Sequence, residues 1–256
     1  MSSSSSSSSS SSTRSAVFVI DCEMTRHGKH CDLSILVAVG AAVFEPNVSI
    51  DLSKPLSDAD LLQLVPKENR FQSFIHDAPA IDGFVKHGFN SMFWKEDEGK
   101  EFWSLPANKV LFESIFAQMR SGLDPSDCVD QFDTFVYNML KKYDGNLIFV
   151  SDTSNFDFLF LEEARAIDDP NGHRLNFATK YGFLPPICTT SFYAGVTRQP
   201  VSCAVTWDDF NSNKALTEDG FLLPRTETAP KSHEPLDDAM QIGLKFVAVN
   251  EQLKQK

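Results

Sequence analysis

Four of the acidic side chains of this 256-residue chain stand at three separated places, each beside an apolar segment. Asp21 and Glu23 end one such segment, and Asp157 begins another. Asp238 lies near the C-terminus, five residues after His233. Carboxylate oxygens are preferred ligands of hard divalent cations, and a histidine that titrates near neutral pH can take a proton from water. Together, these residue types could carry out metal-assisted hydrolysis of a phosphodiester bond.

Asp21 and Glu23 stand two residues apart at the end of AVFVIDC, a segment with the length and composition of a buried strand. Because side chains alternate between the two faces of a strand, both carboxylates would project to one side and Cys22 to the other. Two acids at a strand exit are by themselves more often a solvated edge than a site. The pair therefore indicates a site only in combination with other carboxylates.

Asp157 lies in SNFDFLFLEEA, three residues after Ser154. One interpretation is structural, because this is the spacing of a capping box and the helix dipole favours an acid in the first turn. The other is functional. Asp157 heads an apolar helical row with Leu161 and Ala164, which would direct its carboxylate inward, where it needs a cation or a donor.

The segment SHEPLDDAMQIG contains His233 and Asp238. Pro235 suits the first turn of a helix and disfavours helical geometry in the residue before it, so we expect His233 in the loop that enters the helix. Asp237 begins a polar helical row, whereas Asp238 begins an apolar row that continues with Ile242. Asp238 is therefore the acid expected to face inward.

The elements that must position these residues predict an α/β protein. Strands are expected from Ala16, within Leu33 to Phe44 and at Leu147 to Ser151, and helices at Ala107 to Ser121, Val129 to Tyr143, about Asn155 to Ile167 and Pro235 to about Gln252. Strands followed by alternating helix and strand predict a mixed sheet with helices on its faces.

Aromatic residues are scattered between Pro46 and Asn108 among charged and turn residues. They are Phe71, Phe74, Phe84, Phe89, Phe93, Trp94 and Trp103. Such residues either anchor loops on a core or form a surface on which bases stack, and both uses are compatible with the sequence.

Three segments resemble the motifs of the DEDDh exonucleases, a group of the RNase H-like superfamily that includes oligoribonuclease, RNase T and the proofreading exonucleases. VFVIDCEMT resembles the first motif, in the DxEMT form of oligoribonuclease and related RNA exonucleases. SNFDFLFL resembles the second motif, and HEPLDDA the third, HxxxxD. The resemblance runs from Ala16 to about Val249 in order of elements, and it implies an RNase H-like mixed central sheet with helices on both faces.

The resemblance also implies roles for the acids and the histidine. Asp21 would contact both of two divalent metal ions, Mg²⁺ or Mn²⁺. Glu23 and Asp238 would complete one metal site, and Asp157 would hold the other ion. His233 would be the general base.

Substrate contacts follow from the same resemblance. Met24 and Thr25 would pack against and hydrogen-bond the terminal nucleotide. Phe156 is a further expected substrate contact, although core packing is the alternative for Phe156 or for Phe158.

The expected function is a 3′→5′ exonuclease that releases nucleoside 5′-monophosphates from the 3′ ends of single-stranded nucleic acid, and the DCEMT form favours RNA over DNA. The alternative is a non-catalytic RNase H-like module that binds nucleic acid. Such a module would lack one or more acids, and all four are present. A nuclease of this fold that cuts internally would lack a histidine five places before an acid, and His233 is present.

The composition is acidic, with 23 basic and 35 acidic side chains and a formal charge of −12. This charge opposes a long grip on a duplex and favours a short contact with a strand end, because carboxylates around metal ions are neutralised when the ions bind. Five cysteines at irregular spacings, without a CxxC pair, favour reduced thiols in an intracellular, cytoplasmic setting. No apolar run approaches the roughly 20 residues of a spanning helix, so we expect no membrane association.

We expect residues 1–14, which are rich in serine, to be a disordered tail. Residues 15–256 would form a single exonuclease domain with insertions at about 46–108 and 168–231, which are longer than compact relatives require. These insertions leave the substrate length and the oligomeric state open, with a homodimer as one alternative.

Overall fold

A computed structural model of the protein describes residues 15–25, 35–95, 102–152, 157–158, 161–162, 186–198, 212–227 and 234–256. The serine-rich segment 1–14, Ser154, Phe156, His233 and most of the helix expected at 155–167 lie outside these ranges. Among the described residues, no helix combines the length and the apolar character needed to cross a membrane.

The central feature is a mixed sheet. Its strands are β1 (Ala16–Met24), β2 (Leu36–Phe44), β3 (Arg70–Phe74), β4 (Leu147–Ser151) and β5 (Ile187–Cys188), in the spatial order β3-β2-β1-β4-β5. β1 pairs antiparallel with β2, and β2 antiparallel with β3. On the other side, β1 pairs parallel with β4, and β4 parallel with β5. β1 is therefore central, with a neighbour on each side.

Helices connect and cover these strands. They are α1 (Asp58–Leu64), α2 (Ala78–His87), α3 (Lys109–Arg120), α4 (Pro125–Lys142), α5 (Thr189–Val196), α6 (Ser212–Glu218) and α7 (Pro235–Leu253), with short 3₁₀ turns at Lys67–Asn69, Gly88–Asn90 and Pro106–Asn108. The backbone is also helical at 157–158 and 161–162.

The two faces of β1 pack against different helices. Phe18, Ile20 and Cys22 lie in an apolar cluster with residues of α4, among them Phe132 and Val136. Val17 and Val19 lie in a second cluster with α7, to which Ala239, Leu244 and Val247 belong. This alternation follows from the two-residue period of a strand. The expected α/β sheet with helices on both faces is confirmed.

A third apolar cluster, the aromatic cluster, packs α2 and α3 against the first residues of β2. Its buried members include Val37, Trp94, Trp103, Phe112, Ile115 and Met119, and Phe84, Phe89 and Phe116 are partly buried against them. Trp94 and Trp103 are each only 1% exposed, so both rings belong to the core. Part of the expected insertion at 46–108 also belongs to the sheet, because it contains β3.

Candidate active site

Three acidic side chains converge where β1 ends and α7 begins. Asp21, Glu23 and Asp238 each offer a carboxylate oxygen, and these oxygens all lie within 4.8 Å of one another. Asp21 and Glu23 are odd-numbered residues of β1, as are Val17 and Val19, which pack against α7. Side-chain alternation thus turns both acids toward the helix that carries Asp238.

The start of α7 explains why Asp238 reaches this cluster. Glu234 is the N-cap residue with extended backbone, and Pro235 occupies the first turn, as the sequence predicts. Asp237 and Asp238 both lie in that first turn. Asp238 rather than Asp237 joins the cluster, which agrees with the helical rows read from the sequence.

A glycine in β2 permits the close approach of α7. Gly40 is paired with Asp21 in the register of β1 and β2. A Cβ atom at Gly40 would lie 2.2 Å from the carbonyl carbon of Pro235, a distance at which backbone must move. The absence of a side chain at this position therefore allows the first turn of α7 to rest on the sheet beside Asp21.

Asp157 is fixed to the same strand by Cys22. The Cys22 N–H donates to Oδ1 of Asp157 at 3.1 Å, and the Cys22 thiol donates to the Asp157 carbonyl oxygen at 3.6 Å. Asp157 is 4% exposed, and Leu161, four residues later, is buried in the apolar cluster beneath α4. The inward direction expected for Asp157 agrees with these contacts, and Ser154, on which the capping-box interpretation depends, lies outside the described residues.

The electrostatics of the site are those of crowded carboxylates. Burial, followed by the charges of Asp157, Glu23 and Asp238, raises the pKa of Asp21 well above its usual value. Burial also raises the pKa of Asp157 to about 7, although the nearby Ser151 hydroxyl and the hydrogen bond from the Cys22 N–H act in the opposite direction. Each acid thus makes the ionised form of its neighbours less stable.

This donor set fits a divalent cation. Oδ2 of Asp21 is buried and has no hydrogen-bond partner among the described residues. A buried carboxylate oxygen needs a donor or a cation, and clustered carboxylate oxygens are the usual ligands of Mg²⁺ and Mn²⁺. The mutual repulsion of these acids would be relieved by a bound metal ion.

Met24 and Thr25 are both buried. Met24 is 1% exposed in the cluster beneath α4, and its carbonyl oxygen accepts a hydrogen bond from Nε1 of Trp103 at 2.9 Å. The Thr25 hydroxyl accepts from the N–H of Ile35 at 3.0 Å. Their contacts with a nucleotide stay a prediction.

Of the remaining site residues named from the sequence, the structure describes only Phe158. His233 and Phe156 lie outside the described residues. Phe158 packs partly buried against the cluster beneath α4, with its ring centroid 6.4 Å from that of Phe149. These contacts favour core packing for Phe158.

Asp152, which follows β4 directly, is a further acid near the site that the sequence motifs did not indicate. Its charge contributes to the raised pKa values of Asp21 and Asp157, and its Oδ1 accepts hydrogen bonds from the hydroxyls of Thr189 at 3.1 Å and Thr190 at 3.3 Å. A signal for it was present in the sequence, because Asp152 directly follows the strand predicted at Leu147 to Ser151, which pairs with the strand that carries Asp21. Asp152 also lines a polar cavity of about 200 Å³ with Lys245 of α7.

Comparison with known proteins gives matches in structure only. No family model matches the sequence, and no curated protein matches it. One solved structure that resembles it is that of the cell-death related nuclease 4 (CRN-4), with a TM-score of 0.53 and 11% sequence identity. The match covers 95% of this chain and 65% of the length of that protein. Another is the nuclease domain of 3′hExo, a DEDDh family member, bound to rAMP, with a TM-score of 0.50 and 12% identity over 94% of both chains.

The chain has an RNase H-like α/β fold. At 11% and 12% identity, these likenesses show the fold and leave the chemistry to the residues of the site. The order and direction of the strands support the expected fold. So do the two solved structures, although their sequences differ widely from this one.

Proposed function

We propose that the protein is a metal-dependent 3′→5′ exonuclease that releases nucleoside 5′-monophosphates from single-stranded ends. The observation that carries this proposal is the convergence of oxygens from Asp21, Glu23 and Asp238 within 4.8 Å, at the end of the central strand of an RNase H-like sheet. The solved structures of the same fold include nucleases, one of them a DEDDh family member.

The acids of the site divide between two Mg²⁺ or Mn²⁺ ions in this proposal. Asp21, Glu23 and Asp238 would hold one ion, and Asp157 would help to hold the second. Bound divalent ions supply charge that stabilises the attacking and leaving oxygens of an in-line displacement at phosphorus.

The chain supplies the other functions. Cys22 orients Asp157 through its backbone N–H, and Gly40 lets α7 bring Asp238 to the strand. His233 is joined directly to Glu234, the N-cap of the helix that carries Asp238, and it accepts the proton of the attacking water.

The substrate is a single strand, and RNA is favoured over DNA because the first motif has the DCEMT form. The formal charge of −12 favours contact with a few nucleotides at an end over contact along a duplex. Asp21, Glu23, Asp157 and Asp238 are all retained, which argues for catalysis over a module that only binds nucleic acid.

The test compares the wild type with matched variants on 5′-labelled single-stranded RNA and DNA of one sequence in Mg²⁺ or Mn²⁺. We expect a ladder of shortened products and no cleavage of a circular strand. Asp238→Asn should reduce the rate at least about 100-fold, because charge stabilisation by metal ions is worth several kcal/mol.

Asp237→Asn is the control, since it removes an acid from the same helical turn without touching the cluster, and it should keep a rate near that of the wild type. The proposal is wrong if no ladder forms or if Asp238→Asn produces the wild-type ladder. Cleavage of the circular strand would indicate an endonuclease.

A further inference from the structure

An open cavity of about 600 Å³ adjoins the aromatic cluster. Phe84, Phe89, Trp103, Ser104 and Pro106 line one part of it, and α3 lines the rest. Phe84, Phe89 and Phe116 are only partly buried, so their rings remain accessible from the cavity. The ring centroids of Phe84 and Phe116 lie 4.8 Å apart.

One face of α3 forms the floor of this cavity. The residues of α3 that line it are Lys109, Phe112, Glu113, Phe116, Ala117 and Arg120, whose spacing of three and four places them on a single helical face. The aromatic rings lie in the middle of this face, and a cationic residue stands at each end. The face offers rings to a flat apolar group and positive charge to an anion.

The cavity is joined to the strand that carries the acidic cluster. Trp103, which lines it, donates from Nε1 to the carbonyl oxygen of Met24 at 2.9 Å, and Met24 directly follows Glu23 in β1. Val37, near the start of β2, packs in the aromatic cluster, while Ala38 beside it is paired with Glu23. The cavity and the acidic cluster therefore lie at the same end of the sheet.

We propose that this cavity binds a nucleobase of the single-stranded substrate, at a nucleotide other than the one removed, with its phosphate at Lys109 or Arg120. The inference rests on the proposed function for the substrate class. Nucleobases stack on aromatic side chains, and the adjoining phosphate is an anion.

Charge complementarity favours this occupant over an apolar peptide. The two cations of the α3 face stand against one acid, Glu113, in a chain whose formal charge is −12. Nζ of Lys109 lies 3.9 Å from Oε1 of Glu113. Arg120, at the other end of the face, therefore accounts for the excess positive charge. A local excess of positive charge beside partly exposed rings suits a group that is both aromatic and anionic.

The test scans a single strand with abasic sites. A short 5′-fluorescent oligonucleotide with phosphorothioate linkages at its 3′ end, which resist hydrolysis, is titrated with the full-length protein in Mg²⁺, and binding is followed by fluorescence anisotropy. A gel confirms that the strand stays intact. An abasic substitution at one or two neighbouring positions should weaken binding at least about fivefold, because base stacking on aromatic residues is worth 1 kcal/mol or more.

The Phe116→Leu variant tests whether the base at that position binds in the cavity. Leucine keeps an apolar side chain on α3 but removes the ring, so the variant should bind the intact strand as weakly as the wild type binds the abasic one. It should also lose the difference between the two strands. Val110→Ala is the matched control, because Val110 lies on α3 with 79% exposure and does not line the cavity.

Two results would overturn the proposal. One is that the wild type binds every abasic strand as tightly as the intact strand. The other is that Phe116→Leu shows the same loss of affinity for the abasic strand as the wild type. Either result is separate from a failure of the proposed exonuclease activity, which the ladder assay detects without reference to the cavity. If the protein degrades RNA but binds intact and abasic strands equally, the proposed exonuclease function stands and the proposed subsite is wrong.

Discussion

Asp21 is the residue on which the site depends, because it is the acid whose pKa is raised by all the others. Burial, Asp157, Glu23 and Asp238 act on it in that order. Its Oδ2 has no hydrogen-bond donor among the residues that the structure describes. Such an arrangement is unfavourable for a metal-free protein and favourable for one that binds cations.

His233 has a role that can be separated from metal binding. If it accepts the proton of the attacking water, His233→Ala should lower kcat by about 100- to 10,000-fold, the usual contribution of a general base. The same variant should keep the rise in Tm that Mn²⁺ produces, since histidine is not a metal ligand in the proposed mechanism. The measurements are steady-state kinetics and thermal unfolding.

His87→Ala is the control for this prediction, because His87 is exposed at the end of α2. It should resemble the wild type in both measurements. A His233→Ala variant with wild-type kcat would exclude the residue as the base, and one that loses the Mn²⁺ effect would make it a ligand.

The position of α7 is the main question at the scale of elements. Two glycine contacts hold it on β2. A Cβ at Gly40 would meet the carbonyl carbon of Pro235 at 2.2 Å, and a Cβ at Gly243 would meet Cε2 of Phe44 at 2.0 Å. The first contact lies beside Asp238, and the second lies further along the helix.

Gly40→Ala and Gly243→Ala should therefore have different effects. Each should reduce the free energy of unfolding by about 1–3 kcal/mol, the usual effect of overpacking. If the proposed function holds, Gly40→Ala should also lower kcat/KM of the folded protein about 100-fold, because a shift of about 1 Å in a catalytic group has that effect. Gly243→Ala should leave kcat/KM of the folded fraction within a fewfold of the wild type.

The measurements are urea unfolding and kinetics at a temperature where both variants are folded. Equal loss of kcat/KM in the two glycine variants would contradict the view that the contact at Gly40 positions Asp238.

A polar network joins α4 to the sheet. Oε1 of Glu45 accepts hydrogen bonds from Lys142 Nζ at 2.9 Å, from the Tyr143 hydroxyl at 2.7 Å and from Asn69 Nδ2 at 3.2 Å. Burial raises the pKa of Glu45, but the hydrogen bonds from Lys142 and Tyr143 outweigh it, so the pKa is lowered from 4.5. The ionised form of Glu45 thus stabilises the fold.

The sign of the pH dependence follows from this lowered pKa. The stabilisation by Glu45 is present above its unfolded pKa near 4.5 and is lost as the pH falls through the lower pKa of the folded protein. Because Glu45 is 35% exposed, Glu45→Gln should cost only about 1 kcal/mol at neutral pH. The difference from the wild type should shrink in denaturant titrations below about pH 4.5.

Glu68→Gln, on an exposed acid of the neighbouring 3₁₀ turn, is the control and should behave as the wild type at each pH. A difference between Glu45→Gln and the wild type that is constant down to pH 2 would show that its charge is not the cause.

Local patterns in the sequence account for part of this architecture. Strand alternation predicts that Asp21 and Glu23 share a side, and Pro235 predicts the helix start that carries Asp238. Contacts between distant segments have no such signal. The hydrogen bond from Cys22 to Asp157 joins residues 135 positions apart, and the approach of Pro235 to Gly40 depends on packing that no local period encodes.

The same limit applies to the aromatic residues between Pro46 and Asn108. Their composition is compatible with both a core and a stacking surface, because composition does not reveal which rings are covered. Packing decides this point: Trp103 is buried, and Phe116, outside that range but in the same cluster, stays partly open to a cavity.

For the whole molecule, the clustered acids link metal binding to stability. If a divalent ion binds only the folded protein, a concentration of 100 times its Kd adds about 2.7 kcal/mol to the free energy of unfolding. For a chain of this size, Mn²⁺ should then raise Tm by about 5 °C or more.

Asp21→Asn should remove most of that Mn²⁺ effect. In metal-free buffer the same variant should be more stable than the wild type, on the order of 1 kcal/mol, because it removes one charge from a buried group of like charges. The measurement is thermal unfolding with EDTA and with Mn²⁺. A wild-type Tm that is insensitive to Mn²⁺ would contradict a preformed metal site.

The two glycine contacts of α7 have a consequence for the entropy of the proposed metal binding. Pro235 and Gly243 are eight residues apart, so the contact points lie about 12 Å apart along the helix axis. Asp238 lies between them, on a segment whose backbone lies close to β2 at one contact and close to Phe44 at the other. The backbone that carries this carboxylate is thus positioned when the chain folds, and a divalent ion that binds as proposed would meet a ligand whose backbone has little freedom left to lose.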